Sequence, residues 1–231
     1  VALVNGSADN VQTLLDETAP VLDPHATDTA IFYSISNAHD GLCGIRFGNF
    51  LIKRVVDELA SEFKNLKTFA TLSPIPGFQR WLDRKLSEPD QDVEAEWLTA
   101  TERKALASAA GTGKEPASLK TLLQTSDWSQ KPELAKALKH PLMRLCARYL
   151  VKEKRDSVTV LDPVARFHLA NGARIERLNW LGDTSPKGLA QSAGMMVNYL
   201  YKLNDIEANH EAYRGEGKVT TSSAIRSLLK T

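Results

Sequence analysis

Cysteine is scarce in this chain of 231 residues: Cys43 and Cys146 are the only two, and their separation has no disulfide-framework spacing. A reduced, intracellular setting is the expectation. No C-x-x-C and no H-E-x-x-H occurs. The five histidines (His25, His39, His140, His168, His210) form no pair at metal-ligand spacing, which argues against a metal site. The G-x-S-x-G elbow of an α/β-hydrolase is missing as well. No apolar run is long enough to span a bilayer. Nor is there an excess of either charge: 29 Lys and Arg against 28 Asp and Glu leave +1. No nucleic acid and no membrane are therefore expected as partners. Gly111-Thr112-Gly113-Lys114 has part of a phosphate loop but lacks its glycine spacing, and Glu115 stands in place of the Ser or Thr. It reads as a loop, not a nucleotide site. Internal repeats and low-complexity segments are lacking. The chain opens on Val1-Ala2-Leu3-Val4 with no Met, as if inside a strand, and is expected to be a fragment whose leader or preceding domain lies elsewhere.

What is present is a core-forming composition, 42% hydrophobic, organised around 29–78. Ala30-Ile31-Phe32-Tyr33-Ser34-Ile35-Ser36 is rich in β-branched and aromatic residues and predicts a strand. Gly41, Gly44 and Gly48 then interrupt the chain. From Asn49, placed as an N-cap, Ile52, Val55, Val56, Leu59 and Phe63 follow one face of a helix. Thr68 to Leu72 predicts a second strand, stopped by a Ser73-Pro74-Ile75-Pro76-Gly77 turn. A strand-loop-helix-strand unit makes the two strands parallel. Its glycine-punctuated loop brings backbone N–H groups to a helix N-terminus, a place to hold a phosphate.

Around this unit, Val1–Val4 predicts a strand, Ser7 caps a helix reaching about Glu17, and Phe78–Leu82 forms a short helix. Between Ser87 and Asp156 the composition turns polar and helical, with helices over Thr101–Ala109, Leu119–Gln124 and Pro132–Lys154. Pro141 is expected to kink or break the last of these. Asp162-Pro163 opens a short helix bearing His168, which Asn171-Gly172 ends in a left-handed stop. Ala173–Leu181 alternates as a strand, with Ile175, Arg177 and Asn179 on one face and Glu176, Leu178 and Trp180 on the other. Met195–Leu203 fits strand or helix, and Ser222–Leu229 a closing helix.

Spacing alone selects no chemistry. His168, beside Phe167 and Leu169, reads first as an ordinary core or surface histidine. Ser73 reads as a turn serine, although the prolines beside it would hold a hydroxyl in one orientation. The glycines before Asn49 are by themselves a weak signal.

Longer blocks are more specific. Phe32-Tyr33-Ser34-Ile35-Ser36, Gly48-Asn49-Phe50-Leu51-Ile52-Lys53-Arg54-Val55-Val56 and Thr71-Leu72-Ser73-Pro74-Ile75-Pro76-Gly77-Phe78 resemble the malonyl-CoA decarboxylase family. So do Pro141 to Ala147, Pro163 to Leu169 and Asn198-Tyr199-Leu200-Tyr201, in the family's order. The resemblance implies the family's catalytic half. It implies an α/β (α+β) GNAT-like mixed sheet with flanking helices and a helical insertion at about 87–156. The family's N-terminal helical domain, which serves in homo-oligomerisation, is expected to be absent from this chain. By the same resemblance, Cys43, Gly44, Ile45, Arg46, Phe47, Gly48 and Asn49 would hold the coenzyme A pyrophosphate of malonyl-CoA, chiefly through backbone N–H groups. Ser73 and His168 would form the catalytic pair. Ser34 and Tyr201 would be accessory, substrate-binding positions. Relatives carry a carboxylate where this chain has Arg46, so no acid–base role carries over there.

The implied reaction gives acetyl-CoA and carbon dioxide. His168 would protonate an enolate, with Ser73 bonded to it and to the malonyl carboxylate. The thioester is its own electron sink, so no cofactor is expected beyond the coenzyme A of the substrate. A GNAT-type acyltransferase and a non-catalytic malonyl-CoA-binding module are the alternatives. A bacterial cytoplasm is the expected location, or a mitochondrial or peroxisomal one in a eukaryote.

Overall fold

The computed structural model describes residues 1–35, 48–88, 93–111, 118–125 and 127–230. Ala2–Val4 forms strand β1, and helix α1 follows at Val11–Leu14. Its N-cap is Asn10, whose side chain accepts from Thr13 N–H, and not Ser7. The helix is shorter than expected because Asp16-Glu17-Thr18 turn back on themselves, Asp16 accepting from the backbone and hydroxyl of Thr18. Thr29–Phe32 (β2), helix α2 (Gly48–Glu62) and Thr68–Thr71 (β3) make the organising unit. β2 and β3 are parallel, with Thr29 opposite Thr68 and Phe32 opposite Thr71. Asn49 lies inside the first turn of α2 and not at its cap.

Ser73–Pro74 is a short strand, β4, and not part of a turn: it pairs antiparallel with β6 (Met196–Leu200), Ser73 opposite Val197. Pro74 is tolerated in so short an edge strand, where a missing N–H breaks no central ladder. Between them come α3 (Phe78–Lys85), α4 (Val93–Trp97), α5 (Ala100–Ala110), α6 (Leu119–Gln124), α7 (Pro132–Val151), α8 (Pro163–Ala170), β5 (Arg174–Asn179) and α9 (Pro186–Ser192). Helices α10 (Ile206–Glu216) and α11 (Ser223–Leu228) follow β6.

Among the described residues the sheet is mixed, in the order β1-β2-β3-β6-β4, with β5 on the other edge of β6. The even alternation expected along β5 is broken by a bulge. Ile175 faces Tyr199 and Arg177 faces Asn198, so Glu176 has no partner across the ladder. The extra residue resets the pleat. Ile175 and Leu178, three apart and expected on opposite faces, are both buried in the main core.

Helices flank the sheet and carry most of that core. α7 is continuous through Pro141. Proline in a helix interior costs about 3 kcal/mol. Here the helix buries Leu134, Leu138, Pro141, Leu142, Leu145, Cys146, Tyr149 and Leu150 along its length. Burying a side chain of this size contributes about 1.5–3 kcal/mol each, which outweighs the lost bond. Trp81 of α3 stacks on Trp97 of α4 at 5.3 Å and lies 5.3 Å from Tyr149 of α7, tying three helices together. α5 starts at a capping box between Thr99 and Glu102 and ends on Gly111 in the left-handed region. A smaller cluster on the other face of the sheet holds Ile31, Ala70, Leu72 and Met196, covered by Val11 and Leu14 of α1.

Candidate active site

The site begins where β2 and β3 part. Their last rung is Phe32–Thr71, followed by a bond from Leu72 N–H to Phe32 O at 3.0 Å. One residue later Ser73 has turned its backbone to β6. Along a strand, side chains at i and i+2 share a face, so Thr71 and Ser73 point the same way, and so do Tyr199 and Tyr201 across the ladder.

α8 brings the imidazole to this face. Asp162 caps the helix, accepting from Val164 N–H at 3.0 Å and Ala165 N–H at 2.9 Å, and Pro163 sits in the first turn. Asp162 is fully buried and also accepts from Tyr149 Oη at 3.2 Å. Burial raises its carboxyl above the usual range, while the helix amides, Tyr149 and Gly77 N–H pull it back. The far end of α8 closes on Gly172, at φ +78, where an added Cβ would lie 2.2 Å from Ile206 O. Both the left-handed backbone and the close approach require glycine. The stop expected at Asn171-Gly172 is there.

Between these fixed ends, His168 Nε2 lies 3.2 Å from Ser73 Oγ, and Nδ1 lies 2.7 Å from Tyr201 Oη. Ser73 Oγ donates to Thr71 Oγ1 at 2.8 Å. Thr71 Oγ1 in turn accepts from Tyr199 N–H at 3.1 Å. The Tyr199 ring stacks on the imidazole at 4.4 Å, and Phe167 meets it edge-on at 5.1 Å. All four hydrogen-bonding side chains are at most 5% exposed. Burial pushes the His168 imidazolium down to about 3, so the ring is neutral at physiological pH. Burial likewise raises the Tyr201 phenol far above its ordinary value.

The structure thus joins three of the residues singled out from the sequence, Ser73, His168 and Tyr201. Ser34 lies two residues beyond β2, exposed, and bonds none of them among the described residues. Gly48 and Asn49 form the start of α2. Cys43, Gly44, Ile45, Arg46 and Phe47 lie outside the described residues. Thr71 and Tyr199 were missed. The period of a strand was the available signal, since each sits two positions before a residue already chosen.

A neutral imidazole held at both nitrogens between two hydroxyls can carry a proton to a basic carbon. The comparisons with known proteins bear on which one. The model of the family described as Malonyl-CoA decarboxylase C-terminal domain matches residues 1–231. The mitochondrial malonyl-CoA decarboxylase of Anser anser anser is 44% identical over 232 residues, covering 99% of this chain and 46% of that protein. The Rattus norvegicus counterpart is 43% identical, covering 99% and 47%. Among solved structures, the malonyl-CoA decarboxylase from Rhodopseudomonas palustris superposes with a TM-score of 0.85 at 46% identity, over 98% of this chain and 48% of the other. That from Agrobacterium vitis gives 0.84 at 42% identity, over 99% and 52%. The chain spans about half the length of the curated relatives it matches. With its full length matched by the family model and its sheet and flanking helices shared with solved members, the chain belongs to the malonyl-CoA decarboxylase C-terminal domain family.

Proposed function

We propose that this chain decarboxylates malonyl-CoA to acetyl-CoA and carbon dioxide. One observation carries the reading: in a member of this family, a neutral buried histidine is bonded at both nitrogens, to Ser73 and Tyr201, where two parallel strands part. The bond between the malonyl C2 and its carboxylate breaks. Carbon dioxide leaves, and the electron pair moves into the thioester as an enolate. C2 then takes one proton, which balances the reaction.

His168 supplies that proton from Nε2. Its neutral N–H is a weak acid, but a thioester carbanion is a far stronger base than an ordinary oxyanion. Tyr201 at Nδ1 stabilises the ring as the proton leaves, and solvent restores it afterwards. A positioned proton donor of this kind contributes roughly 10²–10⁴-fold. Ser34 and the 43–49 segment are assigned to the substrate, the latter holding the coenzyme A diphosphate on backbone N–H groups at the start of α2. Loss of one backbone donor to the enolate oxygen would cost about 10²–10³-fold. The thioester is the electron sink, so the proposed reaction uses no cofactor. The proposed location is the bacterial cytoplasm. Cys146 remains a buried free thiol, in keeping with a reducing compartment.

Incubating the protein with malonyl-CoA and no acceptor tests the reading. Acetyl-CoA and carbon dioxide in equal amounts support it. Turnover only when an amine or alcohol is added would make the chain an acyltransferase. Tight binding without any product would make it a sensor of malonyl-CoA.

A further inference from the structure

The proton borne by His168 has two possible addresses, and the arrangement around Thr71 selects between them. Tyr201 Oη sits 2.7 Å from Nδ1, whereas Ser73 Oγ is 3.2 Å from Nε2. A phenol O–H is a stronger donor than a neutral imidazole N–H, and the stronger donor makes the shorter bond. The short contact is therefore phenol to nitrogen, and Nδ1 is the acceptor. The neutral ring then carries its proton on Nε2, which donates to Ser73 Oγ. That requires Ser73 to send its own hydrogen elsewhere, and it does, to Thr71 Oγ1 at 2.8 Å. Thr71 is held for this by its place on β3: its hydroxyl oxygen also accepts Tyr199 N–H of the neighbouring strand, and its side chain is fully buried.

We propose that Thr71 is a positioning residue which, by accepting the Ser73 hydroxyl proton, fixes the His168 proton on Nε2. The donor order runs from Tyr201 to His168 to Ser73 to Thr71, whose hydroxyl oxygen is anchored to the neighbouring strand by Tyr199 N–H. Thr71 acts through Ser73 and touches no reacting atom. Ser73 accordingly aims the imidazole and has no hydrogen left to clamp the malonyl carboxylate, contrary to what the resemblance suggested. A carboxylate without that donor is stabilised less in the ground state, which favours its departure as neutral carbon dioxide. The assignment of the proton rests on the geometry, and its effect on turnover rests on the decarboxylase reading.

The test combines nitrogen NMR on protein labelled with [15N]histidine, with His168 identified from a His168→Gln sample, and steady-state kinetics. In the wild-type protein at pH 7, His168 is expected to show a pyrrole-like Nε2 and a pyridine-like Nδ1. In Thr71→Val the Ser73 hydroxyl turns to Nε2, the two signals exchange character, and kcat falls about tenfold or more with KM nearly unchanged. Thr71→Ser keeps the acceptor, and kcat returns to within about threefold of wild type. A wild-type protein with its proton on Nδ1 overturns the proposal even if Thr71→Val does not fold. So does a folded Thr71→Val that keeps the Nε2 tautomer, or a Thr71→Ser that stays as slow as Thr71→Val. If the tautomer exchanges as expected but wild type never consumes malonyl-CoA, the decarboxylase reading fails and the role of Thr71 in placing the proton stands.

Discussion

At the scale of single residues, His168 has been taken almost wholly out of water. It is 2% exposed, and burial holds its imidazolium down to about 3. Unfolding returns it to an ordinary value of 6.5. Between those limits the unfolded chain binds a proton that the native chain does not. Stability therefore falls as pH drops below about 6.5, at up to roughly 1.4 kcal/mol per pH unit from this one side chain. Urea midpoints at pH 7 and pH 5 are expected to show that loss, and His168→Gln to lessen it. A native His168 that titrates near its ordinary value by NMR would contradict the burial argument. Asp162 works the other way: its carboxyl is raised in the native state, so its contribution is lost as pH rises through that raised value. His168→Ala and Ser73→Ala are each expected to lower turnover of malonyl-CoA at least about tenfold, with the circular dichroism spectrum retained. Near-normal turnover in both would remove them from the mechanism.

Elements decide how accurately that ring is held. α8 is eight residues long, too short to persist alone in water. Its ends are made by Asp162 and Gly172. Asp162→Ala removes the acceptor for two helix amides and for Tyr149 at once. An N-cap is worth about 1 kcal/mol and an orphaned buried donor about 1–3 kcal/mol. Thermal unfolding should show a loss of a few kcal/mol for Asp162→Ala and a smaller one for Asp162→Asn, which keeps an acceptor. Equal losses would mean that capping contributes little. Likewise Gly172→Ala would force a Cβ against Ile206 O, so kcat is expected to drop together with stability, because the strain falls on the helix that bears His168.

Across the whole molecule, the sheet and α7 share one apolar cluster, so the site is not independent of distant packing. Leu142, in the middle of α7, is fully buried. Leu142→Ala should cost about 2–5 kcal/mol in denaturant unfolding, a loss read equally by tryptophan fluorescence and circular dichroism if the helices and sheet unfold together. Cys146, on the next turn of α7, is buried and its thiol is pushed well up by burial and by the charge of Asp162. A thiol so placed is unreactive. Peptide mapping after iodoacetamide should find Cys146 unmodified in native protein and modified only after unfolding.

Much of this was legible in the sequence, because it depended on local pattern. The period change at Asn49, the strand expected over Ala30–Ser36, of which the structure keeps Thr29–Phe32, and the Asp-Pro and Asn-Gly boundaries of α8 are read from neighbours in the chain, and the parallel pairing of β2 with β3 follows from the helix between them. Some errors were local, such as the Asn10 cap of α1 and the Asp16–Thr18 turn that shortens it; others were tertiary in origin. Pro141 does not break α7, because a buried face pays for the missing bond. Ser73 is a strand residue because β6, far off in sequence, offers it a partner. The β5 bulge follows from the register imposed by β6. Ser73, His168 and Tyr201 were named one by one through the family resemblance, while Thr71 and Tyr199 were not. That Ser73, His168 and Tyr201 meet, and that Thr71 stands behind them, was decided only by strand pairing and helix docking, which bring together side chains separated by 95 and 33 residues.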